Sequence, residues 1–333
     1  MQPSLKYSFH SVRSCRWLFA SGGNQGLRLL RLFDFFNARR SRKAGKSKAL
    51  ATWVAACCMV ALIMSCSAPV ERPVGPAADY QDAKDMFKRN RFSRTLEFTD
   101  GLARSSPPTK FTERAQVLRA VVFAGELKSA KELAGAYEKG SDQTKNTRFK
   151  AEYARVRHDQ LQYGATAALG LAETAHELAM GGSLPKQVTL ETPLPTTEGP
   201  LEVKDLQRVE EGGWIEPDQQ ENAATESLNK GIYDALAAAV SGDRSKARAA
   251  LASGSAQIDG VDFALFLGND LAEGAVLFDR KHNRDSQKLR TMCGEADEVT
   301  KAALALLKDN PNRNQEKEVK KLQDRCKTLL KNL

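Results

Sequence analysis

Residues 113–140 read ERAQVLRAVVFAGELKSAKELAGAYEKG, and this stretch decides the fold. Ala, Leu, Lys, Arg and Glu dominate it, its apolar and small residues return at helical spacing, and strand signals are nearly absent, so it reads as α-helix. Gly125-Glu126-Leu127 in its middle has the look of a turn between two helices. Similar places stand at Asn90-Arg91-Phe92 and Asp159-Gln160-Leu161, so that the three are spaced at a near-constant interval along the chain. In the same register the apolar residue recurs as Phe92, Leu127 and Leu161, and three positions later a small residue recurs as Thr95, Ala130 and Gly164. Thr99, Ala134 and Ala168 follow, then Leu102, Tyr137 and Leu171. A small residue at a helix crossing lets two helices approach closely, while the larger one fills the layer behind it.

This spacing and pattern resembles the tetratricopeptide repeat over roughly residues 78–180. The middle unit, Glu113 to Gly140, carries the likeness most fully, and the first departs from it with Thr95 where the family has Ala. The resemblance implies helical hairpins stacked into a concave surface that grips peptide or helix segments of a protein partner. Gly242-Asp243-Arg244-Ser245-Lys246-Ala247 looks like one more such junction, out of phase with the first three.

Residues 181–218 break the helical pattern with Pro185, Pro193, Pro195, Pro200 and Pro217 and the pairs Gly181-Gly182 and Gly212-Gly213. Helix is not expected to run through them. Their length marks a functional loop or a linker, with Val188-Thr189-Leu190 as a short strand and Trp214-Ile215 as an anchor onto the helical body. Residues 219–333 return to helix, expected over 219–241, 243–253, 261–281, 286–308 and 314–332. Leu289, Met292, Ala296, Val299, Ala303 and Leu306 form one narrow stripe, Val319, Leu322, Cys326, Leu329 and Leu333 another, as in a packed antiparallel pair. Asn310-Pro311 supplies the break between them. The fold class is therefore all-α: tetratricopeptide-like hairpins, a long central Pro/Gly-rich loop and a C-terminal helical hairpin.

The amino-terminal part reads differently. Eleven of the 50 basic residues but one of the 41 acids, Asp34, lie before Ala49, so the chain from Cys66 onward holds 39 basic and 40 acidic residues. The overall charge of +9 belongs to the leader, which removes the ground for nucleic-acid binding by the body. The apolar run from Ala49 to Cys66 would span about 27 Å as a helix, short of a ~30 Å hydrocarbon core. It ends in Ile63-Met64-Ser65-Cys66, and a basic flank, an apolar core, a small residue and a cysteine in that order resemble the lipobox of bacterial lipoproteins. In that family the cysteine carries diacylglycerol, the chain is cut before it and the new terminus is usually acylated. The resemblance implies lipid attachment at Cys66, removal of residues 1–65, a tether over 66–77 and, because Ser67 rather than Asp follows the cysteine, the outer membrane facing the periplasm. The length of the basic stretch suits an over-extended translation start. Two other readings of the leader are a mitochondrial transit peptide, which its Arg-rich, acid-poor composition resembles, and an uncleaved signal anchor.

Of six cysteines, Cys15, Cys57 and Cys58 fall in the leader, and Cys293 and Cys326 remain as a pair in the body. Cys293 precedes Asn310 by almost the same stretch of chain as Cys326 follows it, so a hairpin there would bring them level. An oxidising envelope would permit a disulfide between them; the other reading is two buried thiols. Catalytic signals are thin. Glu173-Thr174-Ala175-His176 has the spacing of a di-metal helix but lacks a second such pair, Asp279-Arg280-Lys281-His282 reads as a solvated charged run, and Gly45-Lys46-Ser47 lacks the first glycine of a phosphate loop. No metal, cofactor or catalytic residue is expected. The chain reads as an envelope lipoprotein whose helical body binds another protein, with a helical hydrolase or lyase, its site between the repeats and the central loop, as the rival.

Overall fold

The computed structural model describes residues 74–179, 184–240, 242–279, 282 and 284–332 of the 333-residue chain. Cys66, the whole leader with Gly45-Lys46-Ser47, and the tether as far as residue 73 lie outside the described residues. Within them the protein is all-α apart from one pair of short strands. The helices are α1 (Pro76–Lys88), α2 (Phe92–Ala103), α3 (Thr112–Gln143), α4 (Thr147–Ala179), α5 (Lys204–Glu210), α6 (Pro217–Val240), α7 (Arg244–Leu251), α8 (Gly260–Ala275), α9 (Ser286–Asp309) and α10 (Arg313–Lys331). Strand β1 (Gln187–Leu190) pairs antiparallel with β2 (Ala256–Asp259), placing Val188 opposite Ile258 and Leu190 opposite Ala256.

The repeated turns are the main correction. Asn90-Arg91-Phe92 does separate α1 from α2, with Asn90 left-handed at φ 57°. In contrast, α3 runs unbroken through Gly125-Glu126-Leu127, and α4 runs unbroken through Asp159-Gln160-Leu161. Neither place holds a proline, and the flanking Ala, Leu, Lys and Glu are strong helix formers, so one glycine costing about 1 kcal/mol does not break the helix. The interval between Leu127 and Leu161 relates two positions on one long antiparallel pair rather than two copies of a hairpin. Ala130 and Gly164, matched in the repeat register, meet across that pair: a Cβ built on Gly164 would stand 3.0 Å from the Ala130 Cβ.

Gly125 serves a helix crossing on the other side of α3. A Cβ there would lie 2.7 Å from Ile232 Cα of α6, and one on Gly231 of α6 would lie 3.1 Å from the Ser129 nitrogen of α3. The two helices thus pass backbone against backbone. All eight residues from Ala115 to Val122 are buried, so α3 has no solvent face over that run. It packs against α2, α4, α5, α6 and β1. A second buried helix, α8, packs against α4, α9 and α10, and residues 78–179 therefore share one apolar core with the C-terminal helices.

The central segment is more ordered than its prolines suggest. The expected strand forms as β1, and α5 forms over Lys204–Glu210, inside the proline-free stretch between Pro200 and Pro217. Trp214 stacks on Phe149 with centroids 4.9 Å apart, Ile215 is fully buried, and the Tyr153 hydroxyl donates to the Gly213 carbonyl. Trp214-Ile215 is the anchor, completing a second core cluster with Tyr137, Tyr153 and Val209. The C-terminal hairpin folds at Asn310-Pro311, burying Leu289, Met292, Ala296, Val299 and Ala303 against Val319, Leu322 and Cys326. Asp243, Asp259, Asp285 and Asn312 cap α7, α8, α9 and α10 by accepting backbone N–H groups of the first turn.

The enclosure of α3 makes two of its residues sensitive to change. Gly125→Ala gains helix propensity but forces a methyl group into Ile232, so it is expected to destabilise the protein by about 1–3 kcal/mol in urea denaturation. Glu126, 5% exposed, has its carboxyl pushed up to about 7 by burial, against the lowering effect of its hydrogen bond with Tyr163. The folded chain keeps that proton where the unfolded chain, near the ordinary 4.5, has released it. Stability from this group is therefore complete below the unfolded value and declines by about 3 kcal/mol as pH rises through the folded value. Glu126→Gln should remove that slope from denaturation curves taken from pH 4.5 upward through 7.

Candidate functional site

A cleft of about 820 Å³ opens where the α2–α3 connection and the start of α3 face the end of α4. Ala103, Leu178, Leu184 and Pro185 supply apolar wall, and Arg104, Glu113 and Glu177 supply charge. It lies between the helices of residues 78–180 and the first prolines of the central segment.

Its electrostatics depend on two arginines. Arg119, on the buried run of α3, has a side chain only 4% exposed and donates Nη1 to Asp100 Oδ1 at 2.8 Å. Its guanidinium also lies 5.5 Å from the Phe123 ring centroid, a cation–π distance. Arg104 donates Nη2 to Glu173 Oε1 at 2.9 Å and reaches Glu177 Oε1 with Nε at 3.5 Å and Asp100 at 3.4 Å. Two guanidiniums thus serve three carboxylates. Burial pushes the Glu177 carboxyl above its usual range, Arg119 and Arg104 pull it down, and Glu173 adds to the rise. Glu177 Oε2 and Arg119 Nε are buried and have no hydrogen-bond partner.

Beside this network, Ser105 Oγ and Thr112 Oγ1 share a hydrogen bond at 2.7 Å, the Thr109 N–H donates to Thr112 Oγ1 at 2.9 Å, and Gln116 donates to the Ala103 carbonyl at 3.0 Å. These hydroxyls fasten the connection to the start of α3. Glu173 and Glu177 are both held by Arg104.

The residues singled out in the sequence are dispersed. Glu173 joins the cleft through Arg104, while His176 turns to Glu295 with Nδ1 at 3.2 Å, so the Glu-x-x-His spacing assembles no shared site. Among the described residues no cluster of three His, Cys, Asp or Glu side chains is placed to hold a metal ion. His282 pairs with Asp279 at 2.7 Å. Cys293 and Cys326 lie close together as buried free thiols, not joined by a disulfide, with Cys293 Sγ 3.9 Å from the Cys326 carbonyl oxygen. Asp100, Arg104 and Arg119 were missed by motif reading. The available signal was Arg119 itself, a lone arginine inside the apolar run from Ala115 to Ala124.

No protein-family model, curated protein or solved structure matches this chain. Among the described residues, no helix is long and apolar enough to cross a membrane.

Proposed function

We propose that this protein is a lipoprotein of the bacterial envelope, attached to the membrane through Cys66, and that its helical body holds another protein there. The tetrad Ile63-Met64-Ser65-Cys66 at the end of the apolar run carries this reading. The first helix among the described residues begins at Pro76, soon after that cysteine, so a short Pro-rich tether would link the lipid to the body. The cleft beside Arg104 and Glu177 takes the place of the concave repeat surface as the partner site. Its apolar wall and the exposed Glu113 carboxylate suit a peptide segment bringing basic or hydrogen-bond-donating side chains. Converging polar groups in that position are also what a helical hydrolase or lyase would need. Binding is the stronger reading because Arg104 already occupies Glu173 and Glu177.

Cys66→Ala is expected to abolish fatty-acid labelling and to leave residues before Cys66 on the membrane-bound chain. A wild-type protein that keeps those residues in the membrane would replace the lipid anchor with a signal anchor. The same envelope preparation reports the compartment through its thiols. An oxidising envelope should close Cys293 to Cys326, linking their peptides in non-reducing maps and stabilising the hairpin by roughly 3–4 kcal/mol. Two alkylatable thiols would count against both the bond and the compartment.

The partner site is checked separately. A photo-crosslinker at exposed position 106, beside the cleft, should capture a protein in native membranes, and Glu173→Lys should reduce that yield several-fold. An unchanged yield would move the partner site elsewhere.

A further inference from the structure

A second cavity, of about 390 Å³, lies between the carboxyl end of α6 and the face of α8. Its walls are Ala238, Leu265 and Phe266 together with Asp262, Asn269 and Asp270. Asp270 is the unusual member. Its side chain is 5% exposed, Oδ1 takes the ammonium of Lys128, and Oδ2 is buried without a hydrogen-bond partner. Leaving a buried carboxylate oxygen unpaired costs free energy, and the Asp270 side chain lines the cavity. Burial raises the Asp270 carboxyl even with Lys128 beside it, and neighbouring Glu273 adds to the rise while Lys131 opposes it.

Two further features favour a cation. Gly242, left-handed at φ 73°, turns the chain back and donates its N–H to the Ala237 carbonyl, so Ala238, Ala239 and Val240 present the last turn of α6 to the cavity. That is the negative end of the helix dipole. Asp262, whose Oδ1 accepts from Gln315 at 2.7 Å, stands two turns before Asp270 on α8, about 12 Å along the axis. Two carboxylates that far apart do not chelate one small ion. Leu265 and Phe266 lie between them and line the same cavity with apolar surface.

We propose that this cavity binds a linear aliphatic diamine, one ammonium on the Asp270 carboxylate, the other at Asp262, and the methylene chain along Leu265 and Phe266. This site is separate from the partner cleft, and its failure would leave the reading of that cleft untouched.

Titration calorimetry on the full-length protein in detergent tests it, with 1,5-diaminopentane and 1,8-diaminooctane as probes and 1-aminopentane as the single-charge control. At least one diamine should bind, and the monoamine should bind about tenfold more weakly. Asp270→Asn should weaken diamine binding by about ten- to hundredfold, the worth of a charged hydrogen bond. Asp262→Asn should bring the diamine down to the level of the monoamine. Because Asp270→Asn also loses the Lys128 pair, Leu265→Trp provides a second variant that fills the cavity without touching that pair, and it should abolish binding. Absence of diamine binding to the wild-type protein, or undiminished binding to both Leu265→Trp and Asp262→Asn, would overturn the assignment.

Discussion

A helix with a full two turns of consecutive buried residues has to be enclosed on every side, and the rest of the structure is arranged around meeting that demand for α3. No single neighbour can cover it. α2, α4 and α6 each take a face with β1 beside them, and α5 covers the carboxyl-terminal end of α3 at Gly140. Close enclosure requires thin contacts, which is why small residues stand where the neighbours cross: Gly125 against Gly231 and Ile232 of α6, and Ala130 against Gly164 of α4. Interiors pack at the density of organic crystals, so a methyl group added at such a crossing has nowhere to go.

Enclosure also traps some of the polar side chains the helix carries. Arg119 is held by Asp100, Glu126 by Tyr163, and Lys128 by Asp270. Each is a local solution to burying a charge or a carboxyl, since an unpaired one is costly. The solutions are incomplete at Arg119 Nε, Glu177 Oε2 and Asp270 Oδ2. Arg119 and Glu177 belong to the network beside the wider cleft, and Asp270 lines the smaller cavity. Both candidate recognition sites therefore arise where the packing of this core leaves polar groups unsatisfied.

The central segment shows how proline-rich chain is tied to a helical body. Prolines set its turns, but side chains fix its course: Trp214 on Phe149, Ile215 in the core, and Tyr80 and Tyr233 donating to the carbonyls of Glu191 and Pro195. These tyrosines satisfy backbone groups that prolines and irregular chain leave without secondary-structure partners.

What could be read from the sequence alone is local. Periodicity, caps and breakers act over a few residues, so the bounds of α6, α7, α9 and α10 to within about two residues, the start of α8, the Asn310-Pro311 hairpin, the strand at Val188-Thr189-Leu190 and the Trp214-Ile215 anchor were legible without coordinates, whereas α8 ends at Ala275 rather than at the expected 281. The approach of Cys293 to Cys326 was legible too, because a hairpin converts sequence symmetry into proximity. The tertiary structure decided what Gly125 is for. A glycine flanked by charge looks the same whether it ends a helix or lies beneath another one, and only the arrival of Ile232, from a helix much further along the chain, distinguishes the two. The same holds for the cleft and for Asp270, whose partners come from separate helices. Their chemistry depends on which long-range contacts exclude water, and no short window of sequence carries that information.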